Sequence, residues 1–391
     1  MTSHVEQGPD AGREFAAADE TTVDPATGTR VHRLTDFDAT TTHLYFTNDG
    51  WYDGGRCLLV ESDRGGAHNL YGVHLDSGRI RQLTDLPPLD AGYTHFARNA
   101  AVDRAGENAY FWYGERLLSL DLDTLALDVL YESPEGFTFR GAHNTVTADD
   151  QAVLTTVREP TDADSAAERW RAEPVTRVVA VRTDGSGARV VHEEATELSH
   201  SNASPTRPDL ATYAQEGPWD ETDQRIWGLD LETGETWSIR PEEPGEMLGH
   251  EFWLAGGETV GYHGRYADGQ PFVGTVRYDD TDRLEHPIPR AVFDHDGPRG
   301  HFAAHDRDLV VSDGTPDDRF LFCWRRDGAK YAGPRRLARH GVTSFADGRT
   351  HVHPRFSPDG ERVLFCSDRS GTAQVYLADV PAFESLPAVE T

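Results

Sequence analysis

Two stretches far apart in the chain carry the same structural phrase. Leu58-Leu59-Val60-Glu61-Ser62-Asp63-Arg64-Gly65-Gly66, followed by Asn69-Leu70-Tyr71-Gly72-Val73, is matched by Val363-Leu364-Phe365-Cys366-Ser367-Asp368-Arg369-Ser370-Gly371, followed by Gln374-Val375-Tyr376-Leu377-Ala378. Each reads as an apolar strand, a polar glycine turn and a second apolar strand. Weaker copies lie between them, around Ala109–Tyr113, Val153–Val157, Leu210–Ala214, Thr259–His263 and Leu309–Gly314. Their closing strands recur every roughly 50 residues, the period of a four-stranded propeller blade. The expectation is an all-β fold, a seven-bladed β-propeller of four-stranded antiparallel blades, spanning 26–391 as one domain. A strand near Thr29 to Leu34 should complete the last blade, so that no sheet edge stays open. A pair of β-sandwiches is disfavoured because the turns repeat at blade length. Residues 1–25, acidic and without periodicity, read as a mobile tail, and an acidic, alanine-rich insertion at 160–172 reads as a short helix or loop.

Charge narrows the function classes. The 391 residues hold 67 acidic against 37 basic side chains, for a formal charge of -30, and Lys330 is the one lysine. A protein that grips nucleic acid through a basic surface is excluded. Such acidity suits molar salt, where screening removes the repulsion and carboxylates hold water, so a halophile's protein that weakens in dilute buffer is expected. Cys57, Cys323 and Cys366 lack CxxC spacing, which argues against a disulfide framework or a thiolate zinc site. No apolar stretch is long enough to span a bilayer and no secretory leader is visible, so a cytoplasmic location without membrane partners is expected.

The seventh repeat opens on Thr350-His351-Val352-His353-Pro354-Arg355-Phe356-Ser357-Pro358-Asp359-Gly360. On a strand, His351 and His353 would share a face about 7 Å apart, an arrangement in which two imidazoles bind one metal ion. The bland alternative is a pair of hydrogen-bonded strand histidines. Other histidines hold the same place in their own repeats: His143 opens the third, His200 the fourth, His250 the fifth and His301 the sixth. A propeller places its ligand site at a mouth of the central channel, where the innermost strands converge. A common register across blades is hard to attribute to core packing.

The phrases His351 to Gly360, Gly249-His250-Glu251-Phe252-Trp253, Glu216-Gly217-Pro218, Arg225-Ile226-Trp227 and Leu44-Tyr45-Phe46-Thr47 resemble oligogalacturonate lyase, a polysaccharide-lyase family of seven-bladed propellers. The resemblance runs from about Val31 to Pro381. It implies a divalent metal, usually Mn2+, held by three histidines and a glutamine; the histidines fall on His301, His351 and His353. The glutamine position is Gly348 here, so water or a nearby oxygen such as that of Asp347 would complete the shell. The family's base falls on His250 and its catalytic arginine on Arg225. Gln215 stands where relatives carry histidine before Glu-Gly-Pro. His200, His143, Glu216 and Arg64 complete the expected substrate-binding set.

These residue types suit β-elimination of a uronate chain, in which the C5 proton beside a carboxylate is removed and the C4 oxygen expelled. A metal on the carboxylate neutralises it, a neutral histidine is a base near pH 7, and an arginine stays a cation. The expected substrate is a short oligouronate from pectin breakdown, small enough to be imported, with another uronate as the alternative. A non-catalytic binding propeller is the competing class, and it predicts no clustered histidines. A serine peptidase is excluded because the chain has no Gly-x-Ser-x-Gly elbow.

Overall fold

The computed structural model describes residues 3–18, 20–89, 99–139, 143–163, 165–290, 300–315, 318–343 and 350–389. The described residues form seven antiparallel sheets; four are built from strands consecutive in the chain, and the other three also take strands from the N-terminal stretch. Their innermost strands are Thr41–His43, Ala101–Val102, Thr145–Val146, Leu198–Ala203, Met247–Trp253, Phe302–Ala304 and Arg355–Phe356, and these ring a central channel. The seven-bladed propeller read from the repeat is the fold.

Blade strands are apolar on both faces because each sheet is covered on both sides. In Cys57–Ser62, Cys57 and Leu59 pack with Ala109 and Phe111 of the second blade, whereas Leu58 and Val60 pack with Leu364 and Cys366 of the seventh. Strand alternation thus serves two neighbours at once. Among the described residues the hydrophobic core is accordingly divided into clusters wedged between adjacent blades, and Tyr45 and Phe46 of the first blade join the one between the fifth and sixth.

Ring closure follows the expected route. Arg30–Arg33 pairs with Gln374–Asp379 in the register Tyr376↔Arg33, Leu377↔His32 and Ala378↔Val31. Asp379 clamps the seam, accepting from Arg30 Nε at 2.8 Å and lying 3.1 Å from His32 Nε2.

The N-terminal stretch differs from the mobile tail that its composition suggested. Ser3–His4 pairs with Leu127–Glu132, Glu14–Ala16 with Arg79–Gln82, and Glu20–Val23 with Arg30–Arg33. The segment therefore runs along the outer edges of the second, first and seventh blades, adding one strand to each. Backbone pairing to an otherwise open edge orders it without any apolar periodicity of its own. The insertion folds into one short helix, α1 (Ala166–Arg171), started by Ser165 and Glu168 in a reciprocal capping box.

Candidate active site

The histidines read from the repeats meet at one mouth of the channel, and a shared backbone device brings them there. His200, His250 and His353 all adopt left-handed φ, at 52°, 47° and 47°. The ladders slip at Ser199/Asn202 and Gly249/Phe252, so His200 and His250 sit in β-bulges of their inner strands. A bulge turns its extra residue out of the pleat and towards the channel. Each such conformation costs about 1–3 kcal/mol and persists only where surrounding packing imposes it. His351 and His353 correct the expected strand geometry: they precede the inner strand Arg355–Phe356, and the left-handed turn at His353, not β alternation, brings the rings to 4.9 Å between centroids.

His301, His351 and His353 offer nitrogen atoms that all lie within 4.8 Å of one another. His301 is fixed from behind, as its backbone N–H donates to Asp313 Oδ1 at 2.9 Å and its Nδ1 lies 2.7 Å from Oδ2. That bond leaves Nε2 of His301 for a metal, the usual carboxylate–histidine–metal arrangement. Burial pushes the Asp313 carboxyl up, against the pull of His301. Three imidazoles so spaced, one already oriented by a buried carboxylate, fit a divalent transition metal.

His250 stands beside this trio, its ring 4.6 Å from that of His301. Its Nδ1 lies 2.9 Å from Nε2 of buried His263, on the adjacent strand Thr259–Arg265. Nε2 of His250 is therefore the nitrogen left for chemistry. Burial holds the His250 pKa well below the usual histidine range, and His301, His263 and Arg225 lower it further, so the ring stays neutral.

A cavity of about 320 Å³ joins His250 to Tyr45, His143, His200, Glu216, Ser199 and Arg158. Tyr45, from the Leu44-Tyr45-Phe46-Thr47 phrase, forms its floor, and Phe46 lies outside the lining. Tyr45 stacks on His143 at 3.7 Å and its hydroxyl lies 3.3 Å from His200 Nε2, while Phe46 packs edge-on against His250. His200 Nδ1 lies 2.9 Å from Glu251 Oε1. Arg225, outside the cavity lining, grips Glu216 through two nitrogens at 3.2 and 3.3 Å and reaches towards Glu251 at 3.6 Å. Burial alone would raise the Glu216 carboxyl, but Arg225, His200 and Ser199 hold it down at about 2.

Of the expected residues, His143, His200, His250 and Glu216 line this cavity, and His301, His351 and His353 adjoin it. Arg64 lies elsewhere: its guanidinium stacks on Phe15 and Phe37 in a groove under the N-terminal segment, 4.2 and 4.4 Å from the ring centroids. The reason is the added strand Glu14–Ala16, which brings Phe15 over a turn that sequence reading left open. Gln215 donates to Glu194 at 2.8 Å. Gly348 and Asp347 lie outside the described residues. Sequence reading missed Tyr45 as floor, Asp313 and His263 as partners of site histidines, and Glu251 as the carboxylate between His200 and Arg225. Glu251 had a legible signal, being adjacent to His250 in the quoted phrase. His263 had none, since it sits in an ordinary strand.

Fold and site together define a propeller that does its chemistry at a channel mouth, with an imidazole metal site beside a neutral histidine. The family model described as oligogalacturonate lyase matches residues 10–384. The chain is 25% identical to an oligogalacturonate lyase of Dickeya dadantii (strain 3937) and 26% identical to an oligogalacturonide lyase of Pectobacterium atrosepticum, each over 95% of this chain and 98% of the relative. A solved oligogalacturonate lyase in complex with manganese superposes with a TM-score of 0.82 at 24% identity, covering 95% of this chain and 98% of that one. A Vibrio parahaemolyticus oligogalacturonate lyase superposes with the same TM-score at 23% identity. The chain belongs to the oligogalacturonate lyase family, a family of carbon–oxygen lyases acting on polysaccharides. Among the described residues no helix is long and apolar enough to cross a membrane.

Proposed function

We propose that this chain cleaves short galacturonate oligosaccharides by β-elimination, with His250 as the base and His301, His351 and His353 as the ligands of a divalent metal such as Mn2+. The observation that carries the reading is the 4.6 Å approach of a neutral, buried histidine to a three-imidazole cluster. Its likeness to the manganese-bound lyase supports the choice of ion. When bound, the metal neutralises the substrate carboxylate and so acidifies the neighbouring C5–H.

The chain's own residues divide the rest. In the tautomer this mechanism uses, the proton sits on His250 Nδ1, 2.9 Å from His263 Nε2, and the Nε2 lone pair takes the C5 proton. The C5–H electron pair becomes the C4=C5 double bond, the C4–O bond breaks, and the departing oxygen takes a proton from water. A buried, neutral base pays no cost for stripping water from a charge before it reacts. Arg225 acts as a positioning residue, because its charge is fixed between Glu216 and Glu251 and burial places it one layer behind the cavity wall. Tyr45 and His143 give the sugar ring a flat floor.

The test is ultraviolet absorbance of the unsaturated product from digalacturonate and trigalacturonate, in high salt, with chelated protein before and after Mn2+ is restored. Product that appears only with metal, and disappears in His250→Ala while metal binding persists, is the expected result. Metal binding without product from any galacturonate oligomer would move the substrate to another uronate. Protein that binds no divalent ion would leave a non-catalytic propeller.

A further inference from the structure

We propose that Arg158 is the specificity-determining residue of the cavity, its guanidinium receiving the carboxylate of the uronate on the non-reducing side of the bond that breaks. The inference rests on the lyase reading and adds to it the residue that recognises the leaving sugar. An oligouronate carries one carboxylate on every ring. The carboxylate of the reacting ring is accounted for by the metal site, whereas that of its neighbour needs a cation elsewhere in the same cavity.

The charges around the cavity select Arg158. Its charged lining residues are Arg158, Glu197 and Glu216. Each carboxylate has a guanidinium supplied from outside the lining: Arg225 grips Glu216, and Arg169 Nε lies 3.4 Å from Glu197 Oε1. Arg158 is thus the arginine that the lining itself contributes, from the end of strand Ala152–Arg158, with its side chain 13% exposed. Its Nη1 donates to the same Glu197 oxygen, which sets the direction of the fork. A guanidinium has five N–H donors and binds two carboxylates at once, as Arg225 does with Glu216 and Glu251. Thr138, Thr156 and Thr176 also line the cavity.

The wall is also held firmly. Helix α1 carries Arg169, and its Trp170 lies where a Cβ on Gly217 would fall, 2.5 Å from the indole. Arg171 pairs with Glu221 beyond it. The insertion is thereby bound to the Glu216-Gly217-Pro218 loop, on the wall where Arg169 meets Glu197.

The experiment compares two disaccharides, digalacturonate and the analogue whose non-reducing ring is galactose, with wild type, Arg158→Met and Arg158→Lys. Both substrates keep the reacting galacturonate, so both report through the same unsaturated product. Wild type is expected to prefer digalacturonate roughly 10- to 100-fold in kcat/KM, the scale of one charge-assisted hydrogen-bonded pair. Arg158→Met should lose that preference, mainly through KM, falling roughly 10- to 100-fold further on digalacturonate than on the galactose analogue; Arg158→Lys should recover part of it. An equal loss on both disaccharides would make Arg158 a structural ion-pair partner of Glu197 and overturn the proposal. Wild type that cleaves both equally well overturns it without any variant, even if the substituted proteins fail to fold. Wild type that cleaves neither disaccharide nor trigalacturonate removes the galacturonate reading and this inference with it.

Discussion

At the scale of single residues, the site depends on what stands behind each histidine. Asp313 occupies both the backbone N–H and Nδ1 of His301, so Asp313→Asn should weaken metal binding by about 10–100-fold. Calorimetric titration with Mn2+ measures this directly, apart from turnover. On the proposed mechanism, His263 sets which nitrogen of His250 is turned to the substrate. His263→Phe removes the acceptor and is expected to lower kcat with little change in KM, while His263→Gln, whose carbonyl oxygen can still accept, should retain more of the rate. His250→Ala should cost about 10²–10⁴-fold in kcat, the usual contribution of a general base. These partners were not readable beforehand. Asp313 and His263 lie 12 and 13 positions from the histidines they serve, and adjacent strands of a blade bring them together.

At the scale of elements, the N-terminal segment and the closing strand do different work, which truncation separates. Removing residues 1–23 takes away three outer strands but leaves Arg30–Arg33 paired with Gln374–Asp379. That variant should remain a closed ring with a lowered Tm. Removal through residue 34 deletes the closing strand, leaving Leu377 and Ala378 without their ladder partners and the first and seventh blades without their seam. Loss of the cooperative transition is the expected outcome, followed by circular dichroism on heating. The closing strand was legible because Arg33-Leu34-Thr35-Asp36 is echoed by Gln82-Leu83-Thr84-Asp85 at the end of the first blade. The outer strands were not, because added edge strands are held by backbone hydrogen bonds and leave no apolar pattern.

At the scale of the whole molecule, acid should act through groups whose charge the fold fixes. Glu216 is held at about 2, below the ordinary carboxylate range, so its contribution is present above that range and is lost as pH falls towards 2. Burial, with Arg319 and Arg369 nearby, lowers His340 to about 3, so the unfolded chain binds a proton near pH 6.5 that the native protein does not accept until about 3. Both signs agree: stability should decline from about pH 6.5 downwards, steepening below about 4.5, as read by denaturant midpoints across pH. A formal charge of -30 adds a salt term. Tm should rise from dilute buffer to molar KCl as screening relieves the repulsion.

The sequence by itself determined the architecture, because blade length, turn chemistry and strand apolarity repeat along the chain and packing between blades uses only neighbouring repeats. It also placed His143, His200, His250, His301, His351 and His353 at one mouth, because equivalent positions in a ring face the same axis. Only the tertiary structure decided how those rings are aimed. Bulges at His200 and His250 and the left-handed backbone at His353 bring their rings against Tyr45 and Phe46, which come from the first blade. It likewise moved Arg64 out of the site and placed Arg158 within it. Which arginine faces the cavity depends on where an insertion and an N-terminal segment dock, and neither follows the repeat.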